Sequence, residues 1–181
     1  MRVLVAYETA HGSTEEIAEA IAAKLSECGD EVDVSRCRDV DSVEGYDAFV
    51  VGAPVWAGNW LKPARAFASR FEGTLAEHPV AYFHTSGAAG VEDQRDEVVR
   101  IMAGHLPGYA PSVKPVSVGV FAGVIDYDRY NLALKVVMKA IAKRGGGATS
   151  GRNDMRDWDA IRAWTDDVHG KFAQALTGHE A

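Results

Sequence analysis

The chain alternates short, almost wholly apolar runs with longer segments of helical period, and no other feature restricts its fold as strongly. The first run, Val3–Tyr7, is continuously apolar, as expected of a strand that is covered on both faces. Alternating strands and helices are typical of βα units wound around a parallel sheet. We predict strands at Val3–Tyr7, Glu31–Ser35, Asp47–Gly52, Val80–Phe83 and Val116–Phe121. This α/β pattern predicts a doubly wound five-stranded sheet of order 2-1-3-4-5, in which ligands bind beyond the carboxyl ends of the strands.

Helical periods fill the intervals between these strands. The sequence from Ser13 to Glu16 predicts a capping box, and the helix that follows ends at Gly29. Further helices are predicted after Pro63, with Phe67 and Phe71 facing inward, and from about Val91 to Leu106. The last helix has a cap at Asp154 or Asp157 and one apolar stripe: Ile161, Trp164, Val168 and Phe172.

Charge and cysteine usage exclude several classes of function. A formal net charge of −7 gives no basic footprint of the kind that a nucleic-acid partner requires. No apolar stretch reaches the length of a membrane span, and the apolar run at the start of the sequence is too short for a signal peptide, so we expect a cytoplasmic protein. Cys28 and Cys37 lack a C-x-x-C spacing and clustered histidines, so we predict no metal site and two ordinary thiols. The length of 181 residues predicts one domain, 1–181.

The turn after the first predicted strand has the composition of a phosphate-binding loop. Hydroxyl groups stand at both of its ends and a glycine lies inside it: Thr9, Ala10, His11, Gly12, Ser13 and Thr14. Free N–H groups and the dipole at a helix start can hold an anion without a lysine. Because the turn has neither a Walker motif nor G-x-G-x-x-G, it suits a monophosphate. The alternative is a plain capped βα turn.

Two more loops are expected at the same end of the sheet. The first contains Pro54, Val55, Trp56, Ala57, Gly58 and Asn59, and either Trp56 or the nearby Trp60 can cover one face of a planar ring. The alternative is that both tryptophans pack on the neighbouring helix. Gly58 gives the Ala57–Gly58 peptide the freedom to present its C=O or its N–H to such a ring.

The third loop offers small side chains and amides to the polar edge of the same ring: Thr85, Ser86 and Gly87. His84, just before it, is expected to make a structural hydrogen bond, and we assign no protein side chain a catalytic role. A monophosphate cradle beside an aromatic cover predicts a ligand that combines a phosphate with a planar ring.

These motifs resemble the flavodoxin superfamily, in which T-x-x-G-x-T at Thr9–Thr14 looks like the loop for the phosphate of flavin mononucleotide, FMN. Within it, the chain is similar to the menaquinone-dependent protoporphyrinogen oxidases, whose order of motifs is matched by Phe121-Ala122-Gly123, Tyr127-Asp128-Arg129-Tyr130, Val137-Met138-Lys139, Gly146-Gly147-Ala148-Thr149 and Asp157-Trp158. The resemblance implies a flavodoxin-like fold and phosphate binding by Thr9–Thr14. It also implies contacts to the isoalloxazine ring from Pro54–Asn59 and Thr85–Gly87. The implied activity is electron transfer from a porphyrinogen through FMN to a quinone-like acceptor.

The segment from about 126 to 144 does not fit the minimal fold, so we interpret it as an inserted helical segment after strand five. If Asp128 caps a helix, an apolar stripe opposes a basic one, formed by Lys135, Lys139 and Lys143. The basic stripe suits porphyrinogen propionates, an acidic partner or peripheral contact of 128–144 with the inner face of a membrane. The alternative is a core-packed helix with its lysines in solvent.

Two other functions share this fold. A flavodoxin-type electron carrier would exchange electrons with redox proteins through small, transient interfaces. A signalling domain of the response-regulator type needs an acidic cluster at the end of strand one, where the chain offers the single acid Glu8. Neither the redox partner nor the oligomeric state follows from the sequence.

Overall fold

The computed structural model of the protein describes residues 1–87, 89, 99–100, 104, 108–129, 135–136, 139 and 150–178. In chain order, its elements are β1 (Arg2–Tyr7), α1 (Ser13–Glu27), β2 (Glu31–Arg36), β3 (Ala48–Trp56), β4 (Asn59–Trp60), α2 (Lys62–Arg70), α3 (Glu72–Glu77), β5 (Val80–Ser86), β6 (Ser117–Ala122), β7 (Val124–Asp126), β8 (Arg152–Asp154) and α4 (Trp158–Thr177). Short 3-10 turns follow β2 and β7, at Cys37–Asp39 and Tyr127–Arg129.

The main sheet has the order β2-β1-β3-β5-β6, and these five strands are parallel. The two-residue strand β4 pairs antiparallel with β3 and lies off this path. Counting the five parallel strands alone, the order is the predicted 2-1-3-4-5, so the predicted fold class is confirmed. In such a sheet the neighbours of β1 diverge at its carboxyl end, where a cleft can form.

The central strands β1, β3 and β5 are buried along most of their length on both faces because helices cover both sides of the sheet. In β1, Val3 and Val5 pack toward α1 and α4, whereas Leu4 and Ala6 pack toward the side of α2. Alternate residues therefore enter two separate cores, as the pleat requires. One core contains fully buried side chains from two helices: Ile17, Ile21, Leu25, Ile161, Val168 and Phe172. Burying each such side chain contributes about 1.5–3 kcal/mol.

Two strands extend further than predicted. β3 includes Pro54–Trp56 and β5 includes His84–Ser86, all of which we had expected in loops. The cause is pairing between the two strands, which sets Pro54 beside Thr85. Pro54, which has no N–H to donate, is tolerated in β3 because β1 ends before it could pair with that position. The last hydrogen bond between the two segments runs from Glu8 N to Gly52 O, two residues before the proline.

The predicted capping box at Ser13–Glu16 is wrong. Helix α1 begins at Ser13 itself, and its N-cap is Gly12, whose φ of 94° lies in the left-handed region. No side chain caps this helix start, because the hydroxyl groups on either side of Gly12 make other contacts. At α4 the alternative Asp157 is confirmed as the cap, since its side chain accepts from Ala160 N at 2.9 Å.

The sequence analysis missed a second sheet, formed by β7 and β8. These three-residue strands pair antiparallel, with Ile125 opposite Asn153. Most of the predicted helix from Val91 to Leu106 and most of the predicted insertion lie outside the described residues. No helix in the described part of the chain combines the length and the apolar character that crossing a bilayer demands.

Candidate functional site

A cleft opens at the carboxyl ends of β1, β3, β5 and β6. The empty space within it, open mouth included, is about 480 Å³. Four segments line it: Ala10, His11, Ser13, Thr14, Pro54, Val55, Trp56, Thr85, Ser86, Gly87, Gly123 and Val124. The segments converge because the strands end level, with Thr85 between Pro54 and Phe121 in the sheet.

The loop between β1 and α1 presents unpaired N–H groups. The first hydrogen bond of the helix runs from Glu16 N to Gly12 O at 3.2 Å. The amides of Ser13, Thr14 and Glu15 therefore have no acceptor inside the helix. Gly12 N is held differently, because it donates to Thr9 Oγ1 at 2.9 Å and so fixes the turn. Together with the helix dipole, three free amides at one point form a site for an anion.

A buried hydroxyl pair joins this loop to β5. Thr14 Oγ1 and Thr85 Oγ1 are 2.8 Å apart, and the two residues are 1% and 3% exposed. One hydroxyl donates to the other, which leaves the second free to donate to a ligand oxygen. The pair thus ties the anion-binding loop to the strand that carries the third lining segment.

The buried carboxylate of Glu8 holds the first residue of this loop. Its side chain is fully buried, accepts from Thr9 N at 3.1 Å and is bound by both Nε and Nη2 of Arg38. A buried carboxylate under an anion site would repel the anion, and the bidentate arginine compensates that charge. The single acid at the end of strand one is therefore already paired with an arginine.

A second ion pair fixes the direction of α1. Glu15 in the first turn accepts from the Tyr7 hydroxyl at 2.7 Å and from Arg36 Nη2 at 3.1 Å. The hydrogen bond from Tyr7, aided by Arg36, lowers the pKa of Glu15 below its usual value. Glu15 stays ionised beside the positive end of the helix dipole, which favours it.

A tight hairpin carries the second predicted loop. Ala57 and Gly58 have φ of 48° and 77°, and two successive positive values between β3 and β4 identify a type I′ turn. Asn59 Nδ2 donates to the Ala57 carbonyl at 3.2 Å, and Asn59 Oδ1 accepts from Tyr109 at 3.0 Å. Rotating the Ala57–Gly58 peptide would convert the turn to type II′, which requires a glycine at the position that Ala57 occupies. This geometry opposes the peptide rotation that we had expected.

The two tryptophans separate into a cleft residue and a core residue. Trp56 is 47% exposed and lines the cleft, whereas Trp60 is 1% exposed. Trp60 Nε1 donates to Nδ1 of the buried His84 at 2.7 Å, which confirms the structural hydrogen bond predicted for this histidine. Burial lowers the pKa of His84 to about 3, so the ring stays neutral. Of the two tryptophans, Trp56 is therefore the one at the cleft.

The last wall of the cleft comes from the start of β7. Gly123 N donates to Ser86 O at 3.3 Å, so this wall continues from the end of β5. A Cβ atom on Gly87 would lie 2.9 Å from Ile125 Cδ1, which shows how closely β7 covers the third segment. The sequence analysis missed Gly123 and Val124, although the run Phe121-Ala122-Gly123 had marked their position.

The predicted site residues divide into three groups. Those that line the cleft are Ala10, His11, Ser13, Thr14, Pro54, Val55, Trp56, Thr85, Ser86 and Gly87. Thr9 and Gly12 shape the loop from outside the lining, and Ala57, Gly58 and Asn59 form the hairpin beyond it. The described residues contain no cluster of ligands suited to a metal ion. Cys37 is buried and Cys28 partly buried, and both are free thiols.

Comparison with known proteins agrees with this geometry. A family model described as a flavodoxin domain matches residues 4–151. Over 165 residues, the chain is 27% identical to a protoporphyrinogen IX dehydrogenase (quinone) of Escherichia coli strain K12, covering 89% of this chain and 91% of that one. A protein of the same name from Leishmania major is 29% identical over 175 residues, covering 92% and 74%.

Among solved structures, oxidised flavodoxin 2 from Bacillus cereus superposes with a TM-score of 0.59 at 21% identity, covering 95% of this chain and all (100%) of that one. This likeness supports the fold described above. The family match spans most of the chain, and the sheet order and the loop after β1 agree with it. The chain therefore belongs to the flavodoxin domain family.

Proposed function

We propose that the chain is an oxidoreductase that binds FMN in this cleft and passes electrons from a porphyrinogen to a quinone. The observation that carries the proposal is the anion site at the start of α1, where the amides of Ser13, Thr14 and Glu15 have no helical acceptor. It lies within one cleft with the exposed Trp56. A ligand with an anionic end and a flat aromatic end fits both features.

The residues present fit the phosphate of FMN. Ser13, Thr14 and the loop amides would hold it, with Thr9 fixing the turn and Arg38 compensating the charge of Glu8. Hydrogen bonds to charged groups contribute about 1.5–3 kcal/mol each, so the loop can supply much of the affinity without a lysine.

The remaining lining fits the flavin ring. Trp56 would cover one face, and Pro54 and Val55 would exclude water beside it. Bound FMN would supply the electron-transfer chemistry. The described lining contains no carboxylate, lysine or cysteine, so we assign the protein the tasks of binding, orientation and water exclusion.

The substrate class rests on the relatives, whose printed name is protoporphyrinogen IX dehydrogenase (quinone). In each transfer, the porphyrinogen would lose two electrons and two protons, and the quinone would gain both to become a quinol. A lipid-soluble quinone would bring the chain to the inner face of a membrane, with segment 128–144 as the proposed contact. We propose the cytoplasm as the location of the protein on the same grounds.

Binding and turnover test the two parts of the proposal separately. Apoprotein titrated with FMN should quench flavin fluorescence, and riboflavin, which lacks the phosphate, should bind about 100-fold more weakly. Equal affinities would contradict the phosphate site. Anaerobic mixing of the FMN-loaded protein with protoporphyrinogen and a menaquinone analogue should then produce porphyrin fluorescence. A stable blue semiquinone without porphyrin formation would instead indicate a flavodoxin-type electron carrier.

A further inference from the structure

The two-stranded sheet of β7 and β8, here called the ribbon, is packed between two walls of the cleft. Ile125 lies against Gly87 on one side, and a Cβ atom on Gly123 would lie 3.9 Å from Ser13 Oγ on the other. Gly123 also accepts a hydrogen bond from Met155 N at 3.3 Å. The position of the ribbon therefore sets the width of the cleft beside the anion-binding loop.

Arg156, just after β8, binds the ribbon to α1. Its Nε and Nη2 contact the carboxylate of Asp154 at 2.8 and 2.5 Å, and its Nη1 donates to Glu16 Oε2 at 2.7 Å. The ring of Trp158 lies over the guanidinium, 4.5 Å from Cζ. The arginine side chain is 3% exposed although both carboxylates are about half exposed, at 40% and 50%. A cation buried in this way is held in one geometry.

We propose that Arg156 is a positioning residue for the flavin, because it holds the ribbon against α1 through Asp154 and Glu16. The inference rests on the proposed function, since it concerns FMN in the same cleft. Arg156 does not line the cleft, so it acts through Gly123 and Val124, which do.

A purely electrostatic role for this pair makes a different prediction from a positioning role. Arg156→Gln removes a positive charge near the anion-binding loop, and Glu16→Gln removes a negative one. If charge alone mattered, the first change would weaken FMN binding and the second would strengthen it. If the link positions the ribbon, both changes weaken binding. Arg156→Lys keeps the charge but loses the bidentate geometry, so it should also weaken binding.

The chain offers a matched control in Arg162. Its guanidinium binds Glu27 at 2.8 and 3.1 Å, so it is another ion pair to α1, here from α4. Both side chains are about half exposed, at 48% and 50%, and lie outside the cleft lining. Arg162→Gln should leave FMN affinity unchanged. Among the link variants, Glu16→Gln disturbs the fold least, because it leaves the ion pair of Arg156 with Asp154 intact.

The experiment has two readouts. Quenching of flavin fluorescence in the wild type, the three link variants and the Arg162 control gives FMN affinity, and we expect a loss of about tenfold in each link variant. Hydrogen exchange in apoprotein measures the amides of 124–126 and 152–154, which should exchange about tenfold faster in the link variants while α1 and β1 keep their protection.

Affinity that rises in Glu16→Gln, or an affinity and exchange pattern equal to that of the Arg162 control, would overturn the inference. Wild-type protein that binds no FMN would instead refute the proposed function. In that case the exchange data on apoprotein still decide whether Arg156 holds the ribbon.

Discussion

The hydroxyl groups of Thr14 and Thr85 lie 2.8 Å apart in a site from which water is almost excluded. One residue is the second of the helix that follows β1, and the other is the last but one of β5. Each hydroxyl is the other's partner, so neither can be removed without leaving an unpaired polar group in the interior.

Thr14→Val and Thr85→Val should therefore each lower the free energy of unfolding of apoprotein by about 1–3 kcal/mol. The double variant should lose less than the sum of the two, because it leaves no orphaned hydroxyl. Urea unfolding of the four proteins measures this coupling. Strictly additive losses would show that the hydroxyls do not interact.

Trp56 and Trp60 should respond in opposite ways to substitution. Trp56→Ala removes a half-exposed side chain at the cleft, so FMN affinity should fall about tenfold with little change in stability. Trp60→Ala should destabilise the protein by about 3–5 kcal/mol, since the side chain is buried in the core. Flavin titration and urea unfolding of both variants measure the two effects. Unchanged FMN affinity in Trp56→Ala would place the flavin elsewhere.

A glycine is required at position 52 because the ring of Phe83 leaves no room for a side chain. A Cβ atom at this position would lie 2.0–2.3 Å from three atoms of Phe83, which is fully buried. Gly52→Ala should cost about 3 kcal/mol or more, because the ring cannot move without displacing the core. The matched control is Gly73→Ala in α3, where nothing lies within 4 Å, and a gain of about 0.5–1 kcal/mol is expected. Equal urea midpoints for the two variants would contradict this packing.

Substitutions at the two turn residues of the hairpin should change the stability of the protein in opposite directions. Ala57, with φ of 48°, is the non-glycine residue with a positive φ in the described part of the chain, and Gly58 follows with φ of 77°. Ala57→Gly should raise the free energy of unfolding by up to about 1 kcal/mol, whereas Gly58→Ala should lower it by about 1 kcal/mol or more. Thermal unfolding of both variants gives the two signs, and shifts in the same direction would argue against the type I′ turn.

His84 should make the protein acid-sensitive. Burial lowers its pKa from 6.5 to about 3 in the folded state, so between these values the unfolded chain binds one more proton than the folded one. Stability then falls as the pH drops from about 6.5 toward 3, by about 1.4 kcal/mol for each pH unit from this group. His84→Gln should remove that part of the slope. Parallel curves of unfolding free energy against pH for the two proteins would refute the assignment.

The elements that could be predicted from the sequence are those whose signal is local. The apolar run of β1, the four-residue repeat from Ile17 to Leu25 and the cap at Asp157 depend on neighbouring residues alone. The loop after β1 could be located for the same reason, since its hydroxyls, its glycine and the helix start follow one another along the chain.

What sequence reasoning missed depends on partners distant in the chain. Pro54 belongs to a strand because Thr85 pairs with it. Trp60 lies in the core and not at the cleft because buried His84 accepts a hydrogen bond from its indole N–H. The cap expected at Ser13 fails because Gly12 takes that position with a positive φ. Val124 joins the cleft only through pairing with residue 154, on the far side of the inserted segment.

The antiparallel pairing of Asp126 with Arg152 brings the two ends of the stretch 127–151 together. The chain leaves the flavodoxin body and returns to it at neighbouring points, since paired residues in such a ladder are about 5 Å apart. A turn of a few residues is therefore long enough to join the two strands of this ladder directly.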